Sequence, residues 1–132
     1  MSTATLTKEI TIETPNGTGI AAKVTQLVSQ QAKANIRAAW AFGNSNKGHF
    51  SLITDNNQKA IEALKAEYPE TKENEVLVIN VPNSVGKIQE VSTKISQAGL
   101  NINYLYTTYF EEKPAIVLST NDNKKACTLL NQ

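Results

Sequence analysis

Arginine occurs once in the 132 residues, as Arg37, and histidine, cysteine and tryptophan are equally scarce, as His49, Cys127 and Trp40. Each scarcity excludes something. One cysteine cannot build an internal disulfide framework. A single arginine leaves no guanidinium cluster for phosphates. His49 has no histidine, cysteine or grouped carboxylates at ligand spacing around it, so no metal and no cofactor is expected. Aromatic residues make up only 6% of the chain and the formal net charge is +1. That balance lacks the basic face of a nucleic-acid binder and the charge of an electrostatic membrane anchor. No apolar run approaches the roughly 18 residues of a membrane span. Met1 to Lys8 is rich in threonine and has no apolar signal-peptide core. A cytoplasmic protein is expected, with neither nucleic acid nor membrane as partner.

What the chain does have is an internal repeat. Sliding it on itself by 67 residues matches Ile12 with Ile79, Pro15 with Pro82, Asn16 with Asn83 and Gly19 with Gly86, then Val24 with Val91, Ser29 with Ser96 and Gln30 with Gln97. One residue then drops out. A slide of 66 matches Asn35 with Asn101, Ile36 with Ile102, Lys47 with Lys113, Leu52 with Leu118 and Thr54 with Thr120. It continues through Asn57 with Asn123, Lys59 with Lys125, Ala60 with Ala126 and Leu64 with Leu130. Two copies of one small unit follow, assigned to residues 1–70 and 71–132. A unit of that size is marginal alone and gains from packing on a twin.

Taken in order, Thr3 to Glu13 reads as a strand with Leu6, Ile10 and Ile12 on the alternation. Ala21, Val24, Leu27, Val28 and Ala32 recur at helical spacing. Asn35 to Phe42 is a second strand, with Ile36, Ala38, Trp40 and Phe42 assigned to one face. Gly43 to Gly48 reads as a hairpin loop of turn formers, and His49 to Thr54 as the third strand. Asp55, Asn56 and Asn57 offer N-caps for a helix that turns Ala60, Ile61 and Leu64 inward, and Pro69 stops it. Thr71 to Val81 is long enough to end the first unit and open the second. There the helix carries Ile88, Val91, Ile95 and Ala98 and breaks at Gly99. The strands Asn101 to Tyr109 and Ala115 to Thr120 follow, then a helix from Asn123 to Leu130. This order is α+β: two tandem ferredoxin-like βαββαβ sandwiches, the second lacking its own final strand. The open edge is expected to be covered by the long first strand or by a partner molecule.

Both units pass from strand to helix through an Asn-x-x-Gly turn, Asn16-Gly17-Thr18-Gly19 and Asn83-Ser84-Val85-Gly86. The second turn, with Lys87, Ile88 and later Ile95, Gly99, Asn101 and Ile102, resembles the ACT domain. The first, with Ala21, Val28, Asn35 and Ile36, is a weaker copy. The likeness runs from about Ile10 to Leu130. It departs from the family at the Arg-Pro pair usual inside the turn, where Gly17-Thr18 and Ser84-Val85 stand, and in the missing last strand.

The resemblance implies a small stand-alone tandem ACT protein, regulatory and without catalysis, that binds an amino acid or similar metabolite. It places the ligand at an interface between units, near the turns. The ligand-binding candidates are therefore Asn16, Gly17, Thr18, Gly19, Asn35 and Ile36 in one copy. In the other they are Asn83, Ser84, Val85, Gly86, Asn101 and Ile102. A homodimer is expected.

Plainer readings stand beside these. Asn16 and Asn83 are equally well read as helix caps and the glycines as makers of tight turns. Arg37 aligns with Asn103 and reads as an exposed strand position, and Cys127 aligns with Ile61 and reads as a small core residue. Trp40, Tyr104, Tyr106 and Tyr109 could stack on a ligand or a base, but strand aromatics more often pack core or interface. A protein-interaction module without a ligand remains open, as does a nucleic-acid binder on the same sandwich, although the third strands are mostly aliphatic. A hydrolase of the acylphosphatase type would need an arginine in its phosphate loop, and neither turn has one. No enzyme is expected.

Overall fold

The structure is a computed structural model that describes residues 3–82, 86–110 and 112–132. Among the described residues six strands and four α-helices follow one another as two copies of one plan. They are β1 (Thr3–Pro15), α1 (Ile20–Gln26), β2 (Ile36–Asn44), β3 (Lys47–Thr54), α2 (Asn57–Lys65), β4 (Lys72–Asn80), α3 (Lys87–Gln97), β5 (Ile102–Phe110), β6 (Lys113–Thr120) and α4 (Asn123–Leu130). The contacts divide them into two compact units: Lys8–Asn74, and Glu75–Gln132 together with the residues up to Thr7.

In the unit Lys8–Asn74 the strand order is β2-β3-β1-β4. β1 and β3 run antiparallel from Ile10 opposite Leu52 to Pro15 opposite Lys47. One face carries Ile10, Ile12 and Leu52 against Val24, Val28, Ala60 and Leu64 of the two helices. The hairpin is tighter than the expected loop from Gly43 to Gly48. Both glycines are paired within the ladder, and only Ser45 and Asn46 lie between Asn44 and Lys47. They serve close approach rather than the turn. A Cβ on Gly43 would come within 2.7 Å of the Asn16 amide, and one on Gly48 within 2.8 Å of Thr14 Oγ1.

The expected single face of Ile36, Ala38, Trp40 and Phe42 is also corrected. The register shifts between Ile36 and Ala38, so Ile36 packs on the helix-side core while Trp40 stacks on Phe42 at 5.0 Å and Phe42 on His49 at 4.8 Å. Arg37 sits at this irregularity, half-buried rather than exposed. β5 has the same shift between Ile102 and Tyr104. That is why Ile102 and Leu105, three residues apart, both pack on one core.

The first helix shows where the repeat's extra residue went. After Gln26 the chain winds one π-helical turn, Leu27–Gln31, with Ala32 N–H donating to the Leu27 carbonyl at 2.9 Å. A π turn absorbs one residue without losing the helix's buried stripe: Val24 before it and Val28 within it are both fully buried. α3, one residue shorter over the same span, is α-helical throughout and ends at Gly99, φ 74°. The equivalent first-unit position is Lys33, forced to φ 55°.

The other unit has the order β1-β4-β6-β5. Its core is Leu77, Ile79, Val91, Ile95, Ile116, Leu118, Ala126 and Leu130, with Ala4 from the start of β1. The first residues of β1 thus supply the strand that the second sequence copy lacks. Asn131, at the end of α4, holds that strand by its main chain. Ala4 N–H donates to Asn131 Oδ1 at 2.7 Å, and Asn131 Nδ2 donates to the Ala4 carbonyl at 2.8 Å. Cys127 packs against this core, partly buried, with Sγ 3.5 Å from the Ala4 carbonyl oxygen. Among the described residues no helix is long and apolar enough to cross a membrane.

Candidate ligand site

Gly19 and Gly86 each stand at the entry to a helix, and the glycine does the turning. Gly19 has φ 84° and Gly86 φ 87°, the left-handed region where glycine has no Cβ to clash. Their carbonyls accept the first helical bonds, from Lys23 N–H at 3.0 Å and Glu90 N–H at 2.9 Å. Among the described residues neither helix has a side-chain cap. Asn16 is therefore not the helix cap that its type suggested. Its amide Nδ2 donates to the Ser45 carbonyl at 3.0 Å, and its backbone N–H donates to the Asn46 carbonyl at 2.8 Å. It latches the turn to the β2–β3 hairpin. Asn83, Ser84 and Val85 lie outside the described residues.

Beside Gly86 lies a cavity of about 520 Å³. The chain leaving β4 gives it Val81 and Pro82, and β6 gives Pro114, Ala115 and Ile116. The first turn of α3 gives Lys87, Ile88 and Gln89, and the end of β5 gives Thr107, Thr108 and Tyr109. Val81 N–H donates to the Pro114 carbonyl at 3.2 Å, tying turn to sheet at the cavity floor. Ile88 was expected in the core; it is 44% exposed at the cavity, while Val91 and Ile95 on the same stripe are buried. Tyr109 is 65% exposed.

Lys87 is the only charged group among the described lining residues, and its Nζ lies 3.1 Å from the Glu90 carboxylate. That hydrogen bond, with the attraction of the two charges, holds the Glu90 carboxyl below its ordinary range. The first N–H groups of α3 have no acceptor within the helix and carry its positive dipole end, which favours a carboxylate.

A smaller cavity, about 230 Å³, occupies the corresponding place in the unit Lys8–Asn74. Pro15, Ala21, Ala41, Gly43, Gly48 and Phe50 line it where Pro82, Ile88, Thr107, Tyr109, Pro114 and Ile116 line the other. Asn16 and Gly17 belong to its wall; Thr18 and Gly19 do not.

The remaining sequence candidates line neither cavity. Asn35 N–H donates to Asp55 Oδ1 at 2.8 Å and Asn101 N–H to Asn121 Oδ1 at 3.0 Å, at the starts of β2 and β5. Ile36 and Ile102 pack against the two cores. From Ile102 to Thr107 a strand advances about 16 Å, so these residues stand at the far end from the cavity. Apart from Tyr109, weighed as a residue that could stack on a ligand, the lining residues of α3, β5 and β6 were not singled out as ligand-binding in the sequence. The available signal was the change from Gly43 to Tyr109 between copies otherwise closely matched.

Strands backed by two helices in each unit, with a glycine at the entry to the first, define a tandem ferredoxin-like α+β fold. The description "ACT domain pair" fits the chain over residues 4–131, and the chain belongs to that family. Among solved structures it is similar to a protein from Bacteroides thetaiotaomicron, at 24% identity and TM-score 0.78, covering 96% of this chain and 88% of that one. It is similar to the ligand-free regulatory subunit of aspartate kinase from Thermus thermophilus, at 21% identity and TM-score 0.62, covering 92% and 89%. The regulatory subunit of aspartate kinase from Thermus flavus gives 18% identity and TM-score 0.62, covering 98% and 94%. At these identities the likeness is one of fold. No curated protein sequence matches the chain.

Proposed function

We propose that this chain is a non-catalytic regulatory protein that binds an amino acid beside Gly86 and transmits its presence to a partner. The observation that carries the reading is the cavity of about 520 Å³ at the second turn, within the range of roughly 300–1,000 Å³ typical of small-molecule sites. The N-terminus of α3 favours a carboxylate, and Thr107, Thr108 and Gln89 offer polar groups for an ammonium or a carbonyl. Two of the fold neighbours are regulatory subunits of aspartate kinase by name, which supports a regulatory role. The site residues proposed are Gly86 with Lys87, Ile88, Gln89 and the facing ends of β5 and β6. The family's turn residues Asn83, Ser84 and Val85 are retained as candidates.

The chain is further proposed to act as a homodimer in the cytoplasm. β5 is at a sheet edge and its nine residues, INYLYTTYF, contain no charge and no proline. Natural proteins usually protect such an edge with one or the other. Covering it with the same strand of a second copy is the simplest remedy.

A thermal-shift screen against the twenty amino acids tests the binding. A ligand at about 100 times its Kd adds roughly 2.7 kcal/mol, a rise of several degrees for a protein of this size. Melting unchanged by all twenty at millimolar concentration would remove the ligand and leave an oligomerisation module.

A further inference from the structure

The two cavities are related by the repeat, yet they differ in size and lining, and the difference is chemical. In the unit Lys8–Asn74 the amide of Asn16 lies across Gly43, so close that a Cβ there would meet it at 2.7 Å. It is fixed in that position by the bonds to Ser45 and Asn46. Phe50 stands where the other unit has the smaller Ile116. What remains is about 230 Å³, below the usual range of small-molecule sites. In the other unit Tyr109 replaces Gly43 and extends the wall outward, leaving about 520 Å³.

Resting on the regulatory reading above, we infer that the chain has one working site, the cavity beside Gly86. It takes an amino acid with an apolar side chain, and Asn16 on Gly43 has closed its twin. The lining decides the class. Val81, Pro82, Ile88, Tyr109, Pro114 and Ile116 surround the space with apolar surface, and Lys87, the one charged group among the described lining residues, is engaged by Glu90. A charged ligand side chain would be stripped of water there with no free countercharge, which is costly. An apolar one is transferred out of water at a gain of roughly fourfold in affinity per buried methylene. On that scale L-leucine binds on the order of fiftyfold tighter than L-alanine. Ile88 explains itself in the same terms: a large apolar side chain left 44% exposed on a helix is one that waits for something to cover it.

The test is an amide NMR titration of the full chain with L-leucine, L-phenylalanine, L-alanine, L-lysine and L-aspartate. The expected result is saturable shifts from leucine or phenylalanine at Gly86 to Gln89 and Thr107 to Ile116, with Gly17 to Ala21 and Gly43 unmoved. Alanine should be at least tenfold weaker and the two charged amino acids inert. Ile88→Ser, at an exposed position that the fold does not need, should weaken leucine at least tenfold and leave melting unchanged.

Saturable shifts from lysine or aspartate beside Gly86, with leucine and phenylalanine inert, would overturn the apolar class and leave the regulatory reading standing. Equal shifts at both turns would overturn the single site. If none of the five gives a saturable shift, the regulatory reading falls and this inference with it.

Discussion

Asparagine does much of the fine positioning, and it does so twice. Asn57 Oδ1 accepts from Thr54 N–H at 3.1 Å and from its hydroxyl at 2.6 Å, while Nδ2 donates to the Lys8 carbonyl at 3.0 Å. Asn123 repeats this with Thr120, at 2.9 Å for both bonds, and with the Glu75 carbonyl at 2.8 Å. Each side chain ties a strand end to a neighbouring strand and leaves capping to the residue before it: Asn56 accepts from Lys59 N–H and Asp122 from Lys125 N–H. Replacing Asn123 with alanine strands partly buried partners, so about 1–3 kcal/mol of stability should be lost in denaturant melts. Asn→Ala at 131, which frees both main-chain groups of Ala4, should cost a similar amount.

The pairing of Asn57 with Asn123 was visible as a repeat identity. Its role was not, because a residue after a strand reads equally well as a cap. Asn16 was misleading for the same reason: nothing local says that its amide will lie against a glycine 27 positions away.

Charge pairs add a small pH dependence. Lys47 Nζ lies 2.9 Å from the Glu13 carboxylate, and that hydrogen bond, more than the unscreened attraction, holds the Glu13 carboxyl below its ordinary value. A depressed carboxylate stabilises the fold above its unfolded pKa and loses that contribution as pH falls through the folded one. Both groups are solvent-exposed, so the effect is slight. Melting followed from pH 6 down to pH 3 should show Lys47→Met with a shallower acid decline than the parent chain. An identical decline would show that the pair contributes nothing.

Among the elements, α1 records an insertion that the second copy lacks. The drop from a slide of 67 to one of 66 was legible between Gln30 and Asn35, but not its form, since a longer loop would align in the same way. The π turn shows the residue was taken up inside the helix, and Lys33 was left at φ 55° where the sister unit has Gly99. A left-handed non-glycine residue costs about 1 kcal/mol, so Lys33→Gly should stabilise the chain by up to that amount. A lower melting temperature would contradict it.

β1 is the other element whose role exceeds its pattern. Alternation predicted a long strand, and that strand or a partner molecule was expected at the open edge; the fold shows its first residues serving the unit Glu75–Gln132. Deleting the residues before Lys8 should cost roughly 2–4 kcal/mol, a few main-chain bonds at about 1 kcal/mol each. Faster amide exchange should be concentrated in β4, β6 and α4. Uniform exchange would argue against that role.

Across the whole chain, the class of fold and the family were readable because two copies reinforced every weak signal: turn, glycine, helix stripe and strand pair. The working cavity was not, because it depends on how the copies differ, at Gly43 against Tyr109, Ala21 against Ile88 and Phe50 against Ile116. Differences between repeats look like drift until the fold brings them to one place. An uncharged β5 edge predicts that light scattering or sedimentation will give a dimer, and that Thr107→Lys, at an exposed position, will shift it toward monomer. A monomer at high concentration would remove that expectation.

The most direct measurement is calorimetric titration of the purified chain with L-leucine and L-phenylalanine, with the Ile88→Ser variant beside it. Binding of one amino acid per chain, weakened at least tenfold in the variant, is the predicted result. No heat with either ligand, or binding that Ile88→Ser leaves untouched, would contradict an apolar amino-acid site beside Gly86.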